Sequence, residues 1–228
     1  MSSNTLTRTQ IITAAIALLD AEGLTGLNMR VLGTRLGAAA TAVYWHVDSK
    51  DDLVALAGDQ VWNEIPLPDL TASDWRTAAT ALASELYAML TRHPWLIQAF
   101  GSFVVYGPGK ARYDDHSIAV YEAAGFTGAR ADQAAATVLT FVLGNALGPA
   151  AAITLTRTLS RAGDNGDELL RVRMAKASES TVQFPRLHRR LNTAAAQYGA
   201  APENSFAFGL RAVLDGLDVQ LRADRDHA

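Results

Sequence analysis

The sequence predicts an all-α protein, with an N-terminal three-helix head built on a helix-turn-helix and a helical-bundle body behind it. Three observations predict it. Apolar residues recur three and four positions apart in nearly every segment from Thr7 to Arg222, the period of a helix with one buried face. No segment alternates apolar and polar residues long enough to form a strand. The stretch Asn28 to Lys50, NMRVLGTRLGAAATAVYWHVDSK, reads as two short helices joined by a glycine-containing turn.

Thr7 or Thr9 can cap a first helix that runs to about Glu22, with Ile12, Ile16 and Leu19 as its buried stripe and Gly23 as its stop. Asn28 caps the second, because its side-chain oxygen can accept from the unpaired N–H groups of the first turn. Met29 to Leu36 puts Leu32 and Leu36 on one apolar face with Val31 beside them. Gly37 suits the position just past a helix end, Ala38 and Ala39 make the turn, and a third helix spans about Ala40 to His46. Asp48 and Ser49 can cap the fourth, Lys50 to about Glu64, with Leu53, Leu56, Ala57 and Val61 inward.

Ile65-Pro66-Leu67-Pro68 breaks that helix, since proline removes a donor and disfavours helix before it. Ser73 or Thr71 caps a helix from Asp74 to about Arg92, with Leu82, Leu86 and Met89 or Leu90 inward. His93-Pro94 is another break, then a short apolar helix runs from Trp95 to about Phe103. Tyr106 to Gly109 is a loop by composition, and Lys110 to Ala124 a helix stopped by Gly125. Asp132 to about Arg161 is the longest helical segment, and Pro149 should kink it. Ala162 to Gly166 is a loop, two weaker helices fill Asp167 to Ala196, and the last helix runs from about Glu203 to Arg222. The expected division is residues 1–50 for the head and 51–228 for the body.

Composition narrows the function classes. At 228 residues the chain can bury a sizeable core, and 49% hydrophobic with 19% charged residues is ordinary for a globular protein. Without cysteine there is no disulfide framework, thiolate nucleophile or thiolate zinc site. The first residues, MSSNTLTRTQ, lack the apolar core of a signal peptide. No apolar run reads as long enough to span a membrane, so no membrane partner and a cytoplasmic location are expected. Asp114-Asp115-His116 are adjacent on a helix and splay apart, so no metal is expected. No glycine-rich phosphate loop, nucleophile elbow or paired carboxylates with a plausible base occur. No catalytic residues and no cofactor are therefore expected.

The formal net charge is −3, and the first 62 residues are themselves acidic. Arg8, Arg30, Arg35 and Lys50 stand there against Asp20, Glu22, Asp48, Asp51, Asp52 and Asp59. Counterion release by Lys and Arg supplies most non-specific affinity for nucleic acid. A DNA-reading head of this charge must lean on helix N-termini, hydroxyls and backbone N–H groups.

The run LGAAATAVYWHVDSKDDLVALA resembles the DNA-binding region of the tetracycline-repressor (TetR) family of bacterial regulators. The LG turn, the YWHV run, the Ser49-Lys50 pair and the apolar helix after it carry the likeness. It departs from the usual pattern at Ala38-Ala39-Ala40, where more polar or proline-containing residues are common. Farther on, HPWLIQAFGS, the turn at Pro108, AAGF at Ala123 to Phe126, FVLG at Phe141 and FAFGLRAVLDGL look like one subgroup of the family's effector domains. The resemblance thus covers nearly the whole chain. It implies a ligand-binding and dimerisation body and a DNA-binding transcriptional repressor, released from a pseudo-palindromic operator by a small-molecule effector. Tyr44 and Lys50 become phosphate anchors, Thr41, Ala42, Trp45 and His46 face or flank the major groove, and Arg30 enters from the preceding helix.

In the body, aromatic residues near helix breaks are candidates to line a mainly apolar effector pocket. Trp62, Phe100, Phe103, Tyr113 and Phe141 are expected there, with Asn145 and His93 as polar groups and His116 and Gln98 as further candidates. Where the tetracycline repressor has polar ligand contacts, an ungapped register puts Pro66, Leu82, Leu86 and Phe100, so the effector expected is largely apolar. Gly209 and Gly216 inside the last helix each cost about 1 kcal/mol relative to alanine, which close helix approach would offset. With Gly144 and Gly148 they suggest a four-helix interface in a homodimer, or the same faces packed within one subunit. Ala38 to Ala40 and the acidic head leave a rival reading open: a helical small-molecule-binding protein or enzyme that no longer binds DNA.

Overall fold

The computed structural model describes residues 6–160, 165–191 and 205–225. Among them lie eleven helices and no strand. The expected helix end at Arg161, residues 162–164 of the expected loop, residues 192–196 and the expected start near Glu203 fall outside the described residues.

The head is α1 (Arg8–Gly26), α2 (Met29–Arg35) and α3 (Ala40–Val43). Thr7 caps α1 in a capping box with Gln10. The helix continues past the predicted stop, but Gly23 breaks it locally at φ +70°. Its buried residues are Ile11, Ala15, Leu18 and Leu19, one position off the predicted Ile12-Ile16 stripe. An apolar residue stands at most positions from 11 to 19, so packing against α4 and α6, not the pattern, picks the face. In α2 the structure buries Leu32 and leaves Val31 44% exposed, so Val31 is not part of the inward face.

Helix α4 (Lys50–Trp62) follows, capped by Ser49, whose hydroxyl accepts from Asp52 N. It packs on α1 behind it and on α6 and α7 ahead. Helix α5 (Trp75–Arg92) is capped by Asp74 rather than by Ser73 or Thr71, its carboxylate taking both Arg76 N and Thr77 N at 3.0 Å. A carboxylate that accepts from two backbone amides and from the Thr77 hydroxyl outcompetes a single hydroxyl for the same job. Helix α6 (Trp95–Ala99) is shorter than expected, and α7 (Pro108–Ala124) starts two residues early with proline in its first turn, where the missing N–H has no helical partner to lose. Gly125 ends α7 in the left-handed region at φ 110°.

Helix α8 (Ala129–Ser160) is the central element and runs on through Pro149. It buries Val138, Val142, Ala146 and Ala150 against α5, α6 and α7. It also corrects the expectation about membrane-length runs: from Ala134 to Thr156 it carries no charge, and by length and composition it could cross a membrane. Only 22% of its most apolar window is buried within this chain. Helices α9 (Gly166–Glu179) and α10 (Pro185–Leu191) follow, then α11 (Ser205–Arg225), which lays Leu210, Leu214, Leu217 and Leu221 inward beside α8.

Candidate functional site

The candidate surface begins at Asn28, whose side chain accepts from Arg30 N at 2.8 Å and fixes the start of α2. Gly33 then faces the turn. A Cβ there would lie 2.8 Å from Ala38 O and 3.0 Å from Ala40 N, so only glycine lets α3 cross α2 this closely. The sequence reading passed over Gly33, because an internal helix glycine carries no local sign of what it touches. Gly37 takes φ +63°, as a residue past a helix end often must.

Val43 and Val47 plug the head's core, which turns their neighbours outward. Helix α3 stops at Val43 instead of reaching His46, and the next residues tighten into turns, with His46 N bonding to Val43 O at 3.0 Å. Tyr44 is 51% exposed and Trp45 87%. Arg30 and Thr41 are exposed as well, while Ala42, His46 and Lys50 are half-buried. Lys50 donates one hydrogen bond to Leu24 O at 3.3 Å, which leaves two ammonium donors for other acceptors. The seven residues named from sequence thus come from the start of α2, from α3 with its following turn, and from the first position of α4.

Behind this surface, head and body meet at His93. Its Nδ1 lies 2.7 Å from Asp20 Oδ1 of α1, and its Nε2 lies 3.1 and 3.2 Å from the Glu64 carboxylate just beyond α4. The same Asp20 oxygen accepts from the Trp95 indole at 2.7 Å, and the Asp20 carbonyl accepts from Arg157 of α8. Arg92 holds Glu64 at 3.2 Å. Burial pulls the His93 pKa down, but the hydrogen bonds and charges of Asp20 and Glu64 outweigh it and raise the group above its ordinary 6.5. Both ring nitrogens are thereby occupied.

Helices α4 and α7 cap each other. Asp59 on α4 accepts from Gly109 N at 3.1 Å and Lys110 N at 2.9 Å, replacing the side-chain cap that Gly107 cannot supply. Arg112 on α7 donates to Ile65 O at 2.7 Å, beyond the end of α4. Between the two caps sit three of the predicted pocket residues. Trp62 lies 4.9 Å from Tyr113 and 6.3 Å from Phe100, ring to ring. The Lys110 ammonium lies 4.8 Å from the Trp62 ring centroid, within cation–π range, and pairs with Asp114. Burial pushes the Tyr113 phenol pKa up, so it stays protonated. Among the described residues, two buried side-chain atoms, Trp62 Nε1 and His116 Nε2, have no hydrogen-bond partner.

Phe103 is half-buried and packs against the core. Phe141 and Asn145 stand elsewhere. Phe141 packs on Phe206 at 5.7 Å, and its ring lies 2.6 Å from where a Cβ on Gly209 would be. Asn145 bonds back to Phe141 O within α8 at 2.8 Å. The close approach expected at Gly209 is therefore made inside this chain, whereas Gly144 and Gly216 have open space around them. Two grooves flank α11, one of ≈ 330 Å³ against α5 and one of ≈ 470 Å³ against α8; none of the seven predicted pocket residues lines either.

Comparison with known proteins places this architecture. Residues 11–57 match the family described as bacterial regulatory proteins, tetR family, and residues 67–221 match the tetracyclin repressor-like C-terminal domain. An HTH-type transcriptional regulator of Saccharopolyspora erythraea is 39% identical over 140 residues, which span 61% of this chain and 59% of that regulator. The HTH-type transcriptional repressor DrrR1 of Streptomyces coeruleorubidus is 30% identical over 226 residues, covering 94% of this chain and 78% of DrrR1. The structure of the Streptomyces coelicolor TetR family protein ActR in complex with (S)-DNPA superposes with a TM-score of 0.66 at 25% identity, covering 93% of this chain and 97% of ActR. With both halves matched in order along one helical chain, the protein belongs to the TetR family of bacterial regulators.

Proposed function

We propose that this protein is a cytoplasmic, homodimeric transcriptional repressor that leaves its operator when a small, largely apolar molecule enters the body. The observation that carries the reading is Trp45 at 87% exposure next to Tyr44 at 51%, beyond a short helix whose own valine is buried. Two large aromatics held out in water on a head this small make sense as contacts to another molecule. Tyr44 and Lys50 hold phosphates on either side of the groove, and Arg30, Thr41, Ala42, Trp45 and His46 face or flank the bases.

A two-fold operator needs two heads, and the exposed faces of α8 and α11 support a second copy. Ala136, Thr140, Gly144, Leu147 and Ala151 line one exposed side of α8, and Phe208, Ala212, Gly216 and Val219 one exposed side of α11. Small residues on both stripes let helices of a partner approach closely, and an apolar helix as little buried as α8 needs that cover. The effector site is the aromatic group of Trp62, Phe100, Phe103 and Tyr113, with the unpartnered Trp62 Nε1 and His116 Nε2 as its polar handles. A buried donor without an acceptor costs about 1–3 kcal/mol, which a ligand oxygen would recover.

Release works through α4, which touches the head through α1 and the effector group through Trp62. To invert a 99:1 population of head spacings the effector must prefer the released state by about 10⁴-fold, roughly 5.5 kcal/mol. Full-length protein should retard the DNA upstream of its own gene in a gel shift, as a dimer. A dimer that retards none of that DNA sinks the reading.

A further inference from the structure

We propose that His93 is a positioning residue for operator reading: charged, it clasps the head to the body, and its loss of a proton releases the head and weakens DNA binding. The inference rests on the repressor reading above and deepens it to a regulation of the head's placement. It stands first on geometry. A neutral imidazole has one N–H and one lone pair, yet both His93 nitrogens face carboxylate oxygens, at 2.7 Å and at 3.1 Å. Only the imidazolium donates on both sides. A neutral ring must turn a lone pair toward one carboxylate, and that contact becomes repulsive.

The two carboxylates belong to different parts of the molecule. Asp20 rides on α1 in the head, and Glu64 closes α4 where the body begins. The charged groups around the ring are few. Asp20 comes from α1, Glu64 from the end of α4, Arg92 from α5 onto Glu64, and Arg157 from α8 onto the Asp20 carbonyl. Trp95 of α6 adds its indole N–H to the Asp20 oxygen that His93 also takes. Opening the His93–Asp20 contact leaves Asp20 with the neutral Trp95 indole and the Arg157 bond to its carbonyl, beside the apolar packing of α1 on α4 and α6, and so loosens α1 on this side. A head with that freedom must be ordered again when it binds, and the ordering entropy is subtracted from affinity.

The test uses the full-length dimer and a duplex of its own upstream DNA at constant ionic strength, from pH 6 to 8.5. The His93 side-chain NMR signal should titrate with a midpoint above 6.5, and Glu64→Gln should lower that midpoint by removing one of the two negative charges that favour the imidazolium. Wild-type operator affinity should fall about fivefold to tenfold as pH rises through the midpoint, a coupling of ordinary size. His93→Gln should bind more weakly and lack that component, while any other pH response should be common to both proteins. Amide exchange across residues 18–26, corrected for its intrinsic pH dependence, should quicken with the same midpoint in wild type alone. The inference is overturned if His93 is neutral at pH 6, if Glu64→Gln leaves its midpoint unmoved, or if wild type and His93→Gln respond to pH in parallel. A protein that binds no operator while the NMR and exchange midpoints coincide refutes the repressor reading and keeps the clasp.

Discussion

Asp59 and Gly109 are packed so tightly that neither can be changed alone: the Asp59 carboxylate accepts from Gly109 N at 3.1 Å, and a Cβ on Gly109 would lie 2.3 Å from the Asp59 carbonyl oxygen. Backbone meets backbone there, so no side chain can yield. Gly109→Ala should therefore separate α4 from α7 and lower stability by about 1–3 kcal/mol, read from urea unfolding of the full-length protein. An unchanged midpoint would mean that the mutual caps do not join the two helices.

Gly33 sets how closely α3 crosses α2. A methyl group there meets Ala38 O at 2.8 Å, so Gly33→Ala should push α3 away while leaving the body folded. Operator binding should drop at least tenfold with far-ultraviolet circular dichroism and dimer mass preserved. Retained affinity would show that α3 tolerates displacement.

Lys50 keeps two ammonium donors beyond its bond to Leu24 O. As a phosphate anchor, Lys50→Ala should weaken binding to all duplexes alike, whereas Trp45→Ala should change the ranking of operator variants by about 1–3 kcal/mol. With only Arg30 and Lys50 as cations among the proposed contacts, two heads bring at most about four positive charges to the duplex, and log K against log salt should have a slope no steeper than about −4. A slope near −10 would require basic contacts outside this surface.

Leu147 is 57% exposed on α8 although it sits within the uncharged stretch from Ala134 to Thr156. Leu147→Asp should leave the isolated fold intact and yield a monomer in sedimentation, with operator affinity lost alongside. A dimer of normal affinity would move the interface elsewhere.

His93 also links stability to pH. Its pKa is raised above the ordinary 6.5, so its contribution is fully present below that value and is lost as pH rises through the folded-state pKa. The urea midpoint of wild type should fall relative to His93→Gln above neutrality. Parallel curves would show that His93 titrates alike folded and unfolded.

Much of this was legible in the chain. Caps and stops are local chemistry: Thr7, Asn28 and Ser49 before helices and Gly37 and Gly125 after them state their roles within four residues, and the structure bears them out. The reading head was legible for the same reason, since its layout lies within residues 28–50. What tertiary structure alone decided is everything that joins distant segments. Only packing chose Ile11 over Ile12 on a helix apolar on most sides. Only packing brought Asp20 to His93 across 73 residues and Asp59 to Lys110 across 51, because a hydrogen bond between remote groups leaves no periodicity behind it. Short-range order follows from backbone geometry and side-chain type; which charges meet follows from how the helices stack, and no window of sequence contains that.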